Sequence, residues 1–139
     1  PFTIRFILFG SEEIGLLGSE FYVDSLNQDE LKTIKTMINF DSLGTGNVLG
    51  VLGDADPVGT VLDLGRQKEI KVQQHFYLSE GTSSDHDSFK NREVPVLFFL
   101  SDGLSHIHTT EDKLSLVEPD LLGDAITLTL GLLDNLAQR

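Results

Sequence analysis

Three apolar runs along this chain end in side chains that can bind a metal ion or move a proton. Glu12 and Glu13 follow the run at residues 4–9, and Asp41 follows the run at 36–40. Asp102, His106 and His108 follow the run at 95–100. Carboxylate oxygen and imidazole nitrogen together suit catalytic zinc. In open α/β sheets, ligands bind beyond the carboxyl ends of the strands. A parallel sheet would therefore gather these groups at one edge. Taken singly, each has a plainer account: Glu12 and Glu13 as helix-capping or surface charges, Asp41 as a turn residue, His106 and His108 as solvated loop histidines. Their agreement on strand ends makes them a candidate site.

Ser84-Asp85-His86 invites a different reading, a hydrolytic triad. Three consecutive residues do not point their side chains into one Ser–His–Asp relay, which is defined by geometry and not by adjacency. The segment reads as a helix start, with Ser84 or Asp85 as N-cap. The chain has no Cys, so a thiolate zinc cage, a Cys nucleophile and a disulfide scaffold are all excluded.

The elements that must carry these groups alternate between short β-type runs and longer helical patterns, the α/β signature. Residues 4–9 are apolar on both faces except Arg5, as a buried central parallel strand requires. A helix is expected over 18–26, with Leu17 and Phe21 on its inner side, and a short one over 29–34, with Asp29 near its start. Strands follow at 36–40 and 48–52. Asp56 caps, and Pro57 opens, a helix reaching Glu69, with Val58, Val61, Leu62 and Gly65 inside. Residues 71–78 alternate as a half-buried strand, 80–84 form a loop, and 85–90 a short helix. The strand at 95–100 is the most apolar of all. The spacing of Leu121, Leu122, Ile126, Leu130 and Leu133 gives a helical stripe within 119–137.

The 139 residues suit one domain. A net charge of −12, from 22 acidic and 10 basic residues, argues against a nucleic-acid partner, which needs a basic face, and against anionic membranes. No apolar run approaches the ~20 residues of a membrane-spanning helix. The chain opens on Pro1 and runs almost at once into a core-type strand. It is therefore expected to be truncated at its N-terminus, with an exposed strand edge that favours self-association.

The motifs resemble those of the M28 zinc peptidases, the leucyl-aminopeptidase-like family. Glu12-Glu13-Ile14-Gly15-Leu16-Leu17-Gly18-Ser19 resembles its Glu-Glu-x-Gly-Leu-Leu-Gly-Ser segment. Asn39-Phe40-Asp41 resembles its next strand end, Ser84-Asp85-His86-Asp87-Ser88-Phe89 its Ser-Asp-His/Tyr-x-x-Phe segment, and His108-Thr109-Thr110-Glu111-Asp112 its final His-Thr-x-x-Asp motif. The order and rough spacing agree across residues 4–136. The resemblance implies an α/β domain over residues 1–139, the C-terminal portion of a catalytic domain. Its sheet would be mainly parallel and flanked by helices, a zinc-exopeptidase-like three-layer sandwich.

The same resemblance implies a metallo-aminopeptidase that removes N-terminal amino acids from peptides through a metal-activated water at a two-zinc site. Glu12 would be the general base and acid. Glu13 and His108 would be ligands of one zinc, Asp41 a ligand of the other, and His86 a hydrogen-bond partner of the tetrahedral oxyanion. The family's upstream His-x-Asp and Asp-Asp-Asn motifs, which supply a histidine and a bridging aspartate, do not occur here. The chain alone is therefore expected to bind zinc weakly or not at all and to be inactive. The family also leads to an expected extracellular location. The alternatives are a glutaminyl cyclase or carboxypeptidase relative, or a non-catalytic module of the same fold.

Overall fold

The computed structural model describes residues 2–75 and 82–138. The helices are α1 (Leu17–Asp24), α2 (Gln28–Thr33), α3 (Ala55–Lys68), α4 (His86–Lys90) and α5 (Pro119–Ala137). The strands are β1 (Met37–Phe40), β2 (Leu49–Gly53), β3 (Val72–Gln74) and β4 (Val96–Ser101). Single 3₁₀ turns lie at Glu12–Ile14, Leu104–His106 and Leu114–Leu116.

The four strands form one sheet in the order β1-β4-β2-β3. β4 pairs in parallel with β1 (Met37↔Val96 to Phe40↔Phe99) and antiparallel with β2 (Leu49↔Ser101 to Gly53↔Leu97). β3 adds to β2 in parallel. Two of the three pairings are thus parallel. The position of β4 follows from its composition, Val-Leu-Phe-Phe-Leu-Ser: every residue is buried. Leu97 and Phe99 meet Val58 and Val61 of α3 and Leu121, Ala125, Leu128 and Leu132 of α5. On the opposite face, Val96 packs with Val23, Leu31, Phe89 and Val94. Helices therefore cover both faces and make three layers.

Local chemistry sets most boundaries. α2 begins one residue before the expected 29–34 because Asn27 caps it. Asn27 Oδ1 accepts from the N–H groups of Asp29 and Glu30 at 3.0 Å each, and Glu30 Oε2 accepts from Asn27 N–H at 2.8 Å. This reciprocal box is worth about 1 kcal/mol. α3 opens at Ala55 and not on the expected Asp56 cap. The residue before it, Asp54, turns its Oδ2 to the Val96 N–H at 2.7 Å, tying α3 to β4. Pro57 is tolerated in this first turn, whose N–H groups have no intrahelical partner. β3 was expected over 71–78; residues 76–78 and part of the 80–84 loop lie outside the described residues.

Three expectations need correction. Residues 4–9 join no ladder among the described residues: Phe6 is 92% and Leu8 101% exposed, and only Phe9 packs inward, on Tyr22 and Phe89. An apolar run becomes a strand only where a neighbouring edge takes up its N–H and C=O groups, and here neither outer strand, β1 or β3, pairs with it among the described residues. α1 faces the other way, since Leu17 and Phe21 are exposed while Ser19 and Val23 are buried. On this buried side Val23 packs with Phe89, and the Ser19 and Ser88 hydroxyls make a 2.8 Å hydrogen bond between α1 and α4. α5 has the expected bounds but buries Leu121, Ala125, Leu128 and Leu132, leaving Ile126 and Leu130 outside. The helix carries two apolar stripes, and the one containing the small Ala125 fits against the sheet.

Candidate active site

The parallel pairing of β1 with β4 brings two of the site loops side by side. Asp41 follows β1 and donates its backbone N–H to Phe99 O at 3.3 Å. One residue on, Ser101 N–H donates to Ser42 O at 3.1 Å. Ser101 Oγ then fixes the turn that follows β1. It accepts from Gly44 N–H and Thr45 N–H at 3.1 Å each and donates to Ser42 O at 3.1 Å. Asp102 continues the clamp, its Oδ1 accepting from Asn47 N–H at 2.7 Å and Val48 N–H at 2.9 Å. These two N–H groups hold the Asp102 carboxylate below the usual aspartate range.

The two loops touch backbone to backbone, and glycine makes this possible. A Cβ on Gly103 would lie 2.4 Å from Gly46 N, and one on Gly46 would lie 2.2 Å from Asp102 Oδ1. Gly46 also has φ +98°, a conformation that favours glycine.

On this frame, His108 Nε2 meets Glu13 Oε1 at 3.0 Å across a sequence separation of 95 residues. Both side chains are open to solvent, at 66% and 70% exposure. Glu12 sits in the same field. Burial raises its carboxyl above the usual glutamate range. The charges of Asp41, Glu13 and Asp85 push the same way, while His108 pulls back. The structure therefore brings Glu13 and His108 into contact and sets Glu12 within the electrostatic reach of Asp41, Glu13, His108 and also Asp85, which sequence reasoning had placed only at a helix start.

Three of the six non-glycine residues with positive φ lie in or directly beside these positions: Ser11 (61°), Ser42 (49°) and His108 (61°). Such conformations cost of order 1–3 kcal/mol each and concentrate at functional sites.

Asp41 has partners that the sequence did not reveal. Ser84 Oγ donates to its Oδ2 at 2.6 Å, and Ser42 Oγ makes a long contact to its Oδ1 at 3.4 Å. Asn39 Nδ2 donates to Ser84 Oγ at 2.8 Å. Of the two expected N-caps of α4, Asp85 holds that position, without a side-chain capping bond, and Ser84 does not. Asn39 stands two residues before Asp41 on β1; an Asn buried in an apolar strand was the available signal.

His86 lies inside the fold. Its ring is 2% exposed, packs on Phe98 with centroids 4.7 Å apart, and sets Nε2 3.5 Å from Asp87 Oδ1. Its Nδ1 has no hydrogen-bond partner. Burial pushes the imidazole pKa down against the pull of Asp87, which favours the neutral ring. His106 contributes its carbonyl to Thr109, accepting from N–H at 3.1 Å and Oγ1 at 2.7 Å.

The donors suit zinc in kind, a carboxylate oxygen against an imidazole nitrogen. In number they fall short. Among the described residues, no group of three or more His, Asp or Glu stands close enough to hold a metal ion, whereas catalytic zinc takes three protein ligands. Glu13 and His108 are two donors in contact, one short of that number.

Fold and site together define a class, the three-layer α/β domains that carry carboxylates and histidine on the loops beyond their strands. The profile of peptidase family M28 matches residues 1–133. The chain belongs to that family. It is 47% identical over 107 residues to leucine aminopeptidase 2 of Trichophyton equinum, covering 68% of this chain and 21% of that protein. It is 33% identical over 138 residues to aminopeptidase YwaD of Bacillus subtilis (strain 168), covering 89% and 30%. Among solved structures, BSAP, a zinc aminopeptidase from Bacillus subtilis, superposes with a TM-score of 0.74 at 27% identity, over 90% of this chain and 33% of that one. The chain thus spans between about a fifth and a third of these relatives.

Proposed function

We propose that residues 1–139 form the C-terminal portion of the catalytic domain of a zinc-dependent metallo-aminopeptidase, which hydrolyses N-terminal residues from peptides. The observation that carries this reading is the 3.0 Å contact between Glu13 Oε1 and His108 Nε2, a carboxylate–imidazole pair of the kind zinc uses. Membership of a peptidase family and likeness to proteins described as leucine aminopeptidase and zinc aminopeptidase support the substrate class and the metal.

Glu13 and His108 are assigned to one zinc and Asp41 to a second. Glu12 is assigned the proton transfers. Its pKa, raised by burial and by the neighbouring carboxylates, moves in the direction a group that takes up and returns a proton needs. His86, shielded behind Phe98, would have to leave its packing to reach an oxyanion, so its assignment to that role depends on movement of α4. With two contacting donors, the chain alone is expected to hold zinc weakly and to lack activity.

Elemental analysis of the chain dialysed against micromolar zinc tests the ligands, with His108→Ala as the comparison. Zinc retained by wild type and lost by the variant supports the pair. Equal retention by both removes His108 from the site. Turnover of an aminoacyl anilide by the purified chain would overturn its inactivity. Self-association is proposed through the exposed apolar side chains of residues 2–8, Phe6 and Leu8 above all. A monomer by light scattering would count against it.

A further inference from the structure

Asn39, Ser84 and Asp41 form a directed line of hydrogen bonds between β1 and the start of α4. Asn39 Nδ2 donates to Ser84 Oγ at 2.8 Å, and Ser84 Oγ donates to Asp41 Oδ2 at 2.6 Å. Asn39 is 7% and Ser84 1% exposed, so water competes little for either.

The chemistry of the three groups fixes the direction. An amide NH₂ only donates, and a hydroxyl has one proton and two lone pairs. On the Asn39 side the Ser84 oxygen must accept, and its single proton is left for Asp41. Asn39 lies on β1 and Asp41 just past its end, two residues on, and both meet Ser84 Oγ, so one hydroxyl from a different element bridges them. An apolar residue at position 39 would release the hydroxyl to turn, and the donor facing Asp41 Oδ2 would no longer be fixed. Among the described residues Asp41 Oδ1 has only the long contact to Ser42, so there the Ser84 bond is the principal restraint on the carboxylate.

We infer that Asn39 is a positioning residue of the site, acting through Ser84 to fix the orientation of the Asp41 carboxylate. The functional meaning of this relay rests on the proposed assignment of Asp41 to the metal site; the relay itself does not.

The test uses the metal-free chain and reads the Asp41 side-chain rotamer by NMR three-bond couplings. A purely structural role for Asn39 would alter the melting temperature and leave this signature in place. Wild type is expected to show one rotamer, and Asn39→Leu and Ser84→Ala each an exchanging mixture. The double variant should show no more averaging than Ser84→Ala, because the two act in series. A single Asp41 rotamer in both single variants overturns the relay, as does further averaging in the double variant. Should Asn39→Leu fail to fold, Ser84→Ala against wild type still decides whether Asp41 depends on the hydroxyl, and Asn39→Ser, smaller and still polar, replaces Leu. Zinc titration against a chromophoric chelator separates the two readings. Asn39→Leu should weaken zinc by about tenfold, the lower end of what losing such a supporting partner does. An Asp41→Asn chain that binds zinc as wild type does removes Asp41 from the metal site while leaving the rotamer result standing.

Discussion

Replacing Ser101 by alanine should loosen the frame that carries Asp41 and His108, and the cost can be worked from its bonds. The Ser101 hydroxyl is buried and accepts from two backbone N–H groups, those of Gly44 and Thr45. It also donates to Ser42 O, but that carbonyl keeps a second bond from Ser101 N–H. Alanine therefore strands two donors and no acceptor. A buried donor left without a partner costs about 1–3 kcal/mol. The Gly44 bond is buried and the Thr45 bond partly so, which puts the second donor at the lower end and the sum at about 2–4 kcal/mol. For a chain of this size that is a fall in Tm of roughly 10 °C. Urea unfolding followed by circular dichroism would read it as a lower midpoint at an unchanged slope. A loss below about 1 kcal/mol would refute the reasoning, since water or a local shift would then have satisfied both N–H groups.

Three further outcomes follow from the same structure. Glu12→Gln should stabilise the chain at pH 7. The folded-state pKa is raised above the ordinary value of 4.5, so the ionised form is disfavoured in the fold and the gain should vanish below pH 4.5, where both states are protonated; melting curves at the two pH values would show it. Asp102→Asn should destabilise at neutral pH. Its folded pKa lies below the ordinary 3.8, so the wild-type advantage is complete above that value and is lost as pH falls through the depressed pKa, and a persistent gap in acid would contradict this. On α5, Leu128→Ala should cost about 3 kcal/mol, while Ile126→Ala, on the exposed side, should stay within about 0.5 kcal/mol; the reverse order by urea unfolding would mean that the helix faces the other way.

The strand ends that carry the site were legible because an apolar run followed by a charge is a local pattern. Asp41 and His108 fall where that pattern puts them, and Pro119–Ala137 has the expected bounds because Pro at the first position and a long apolar periodicity both mark it. What failed depended on pairing. The run at 4–9 has strand composition, but composition does not supply a neighbouring edge. α1 and α5 have apolar residues on more than one side, so spacing alone left their rotation open; the buried sides are those that pack on α4 and on the sheet. Asn39 carried a signal, a polar residue within an apolar strand, but its partner Ser84 is 45 residues away and no local pattern points to it.

The central place of β4 also has a consequence for how the chain is made. β1 and β2 flank β4 and are not paired with each other, and β4 comprises residues 96–101. During synthesis, β2 can pair with β3 once residue 74 has been added, but the ladders of β1 and β2 with β4 close only after residue 101. Non-local pairing of this kind folds slowly, and the waiting strands expose apolar edges of the sort that aggregate. The nascent chain should depend on holding factors for that interval. A substitution that weakens β4 would then reduce the yield of folded protein by more than its equilibrium effect on stability.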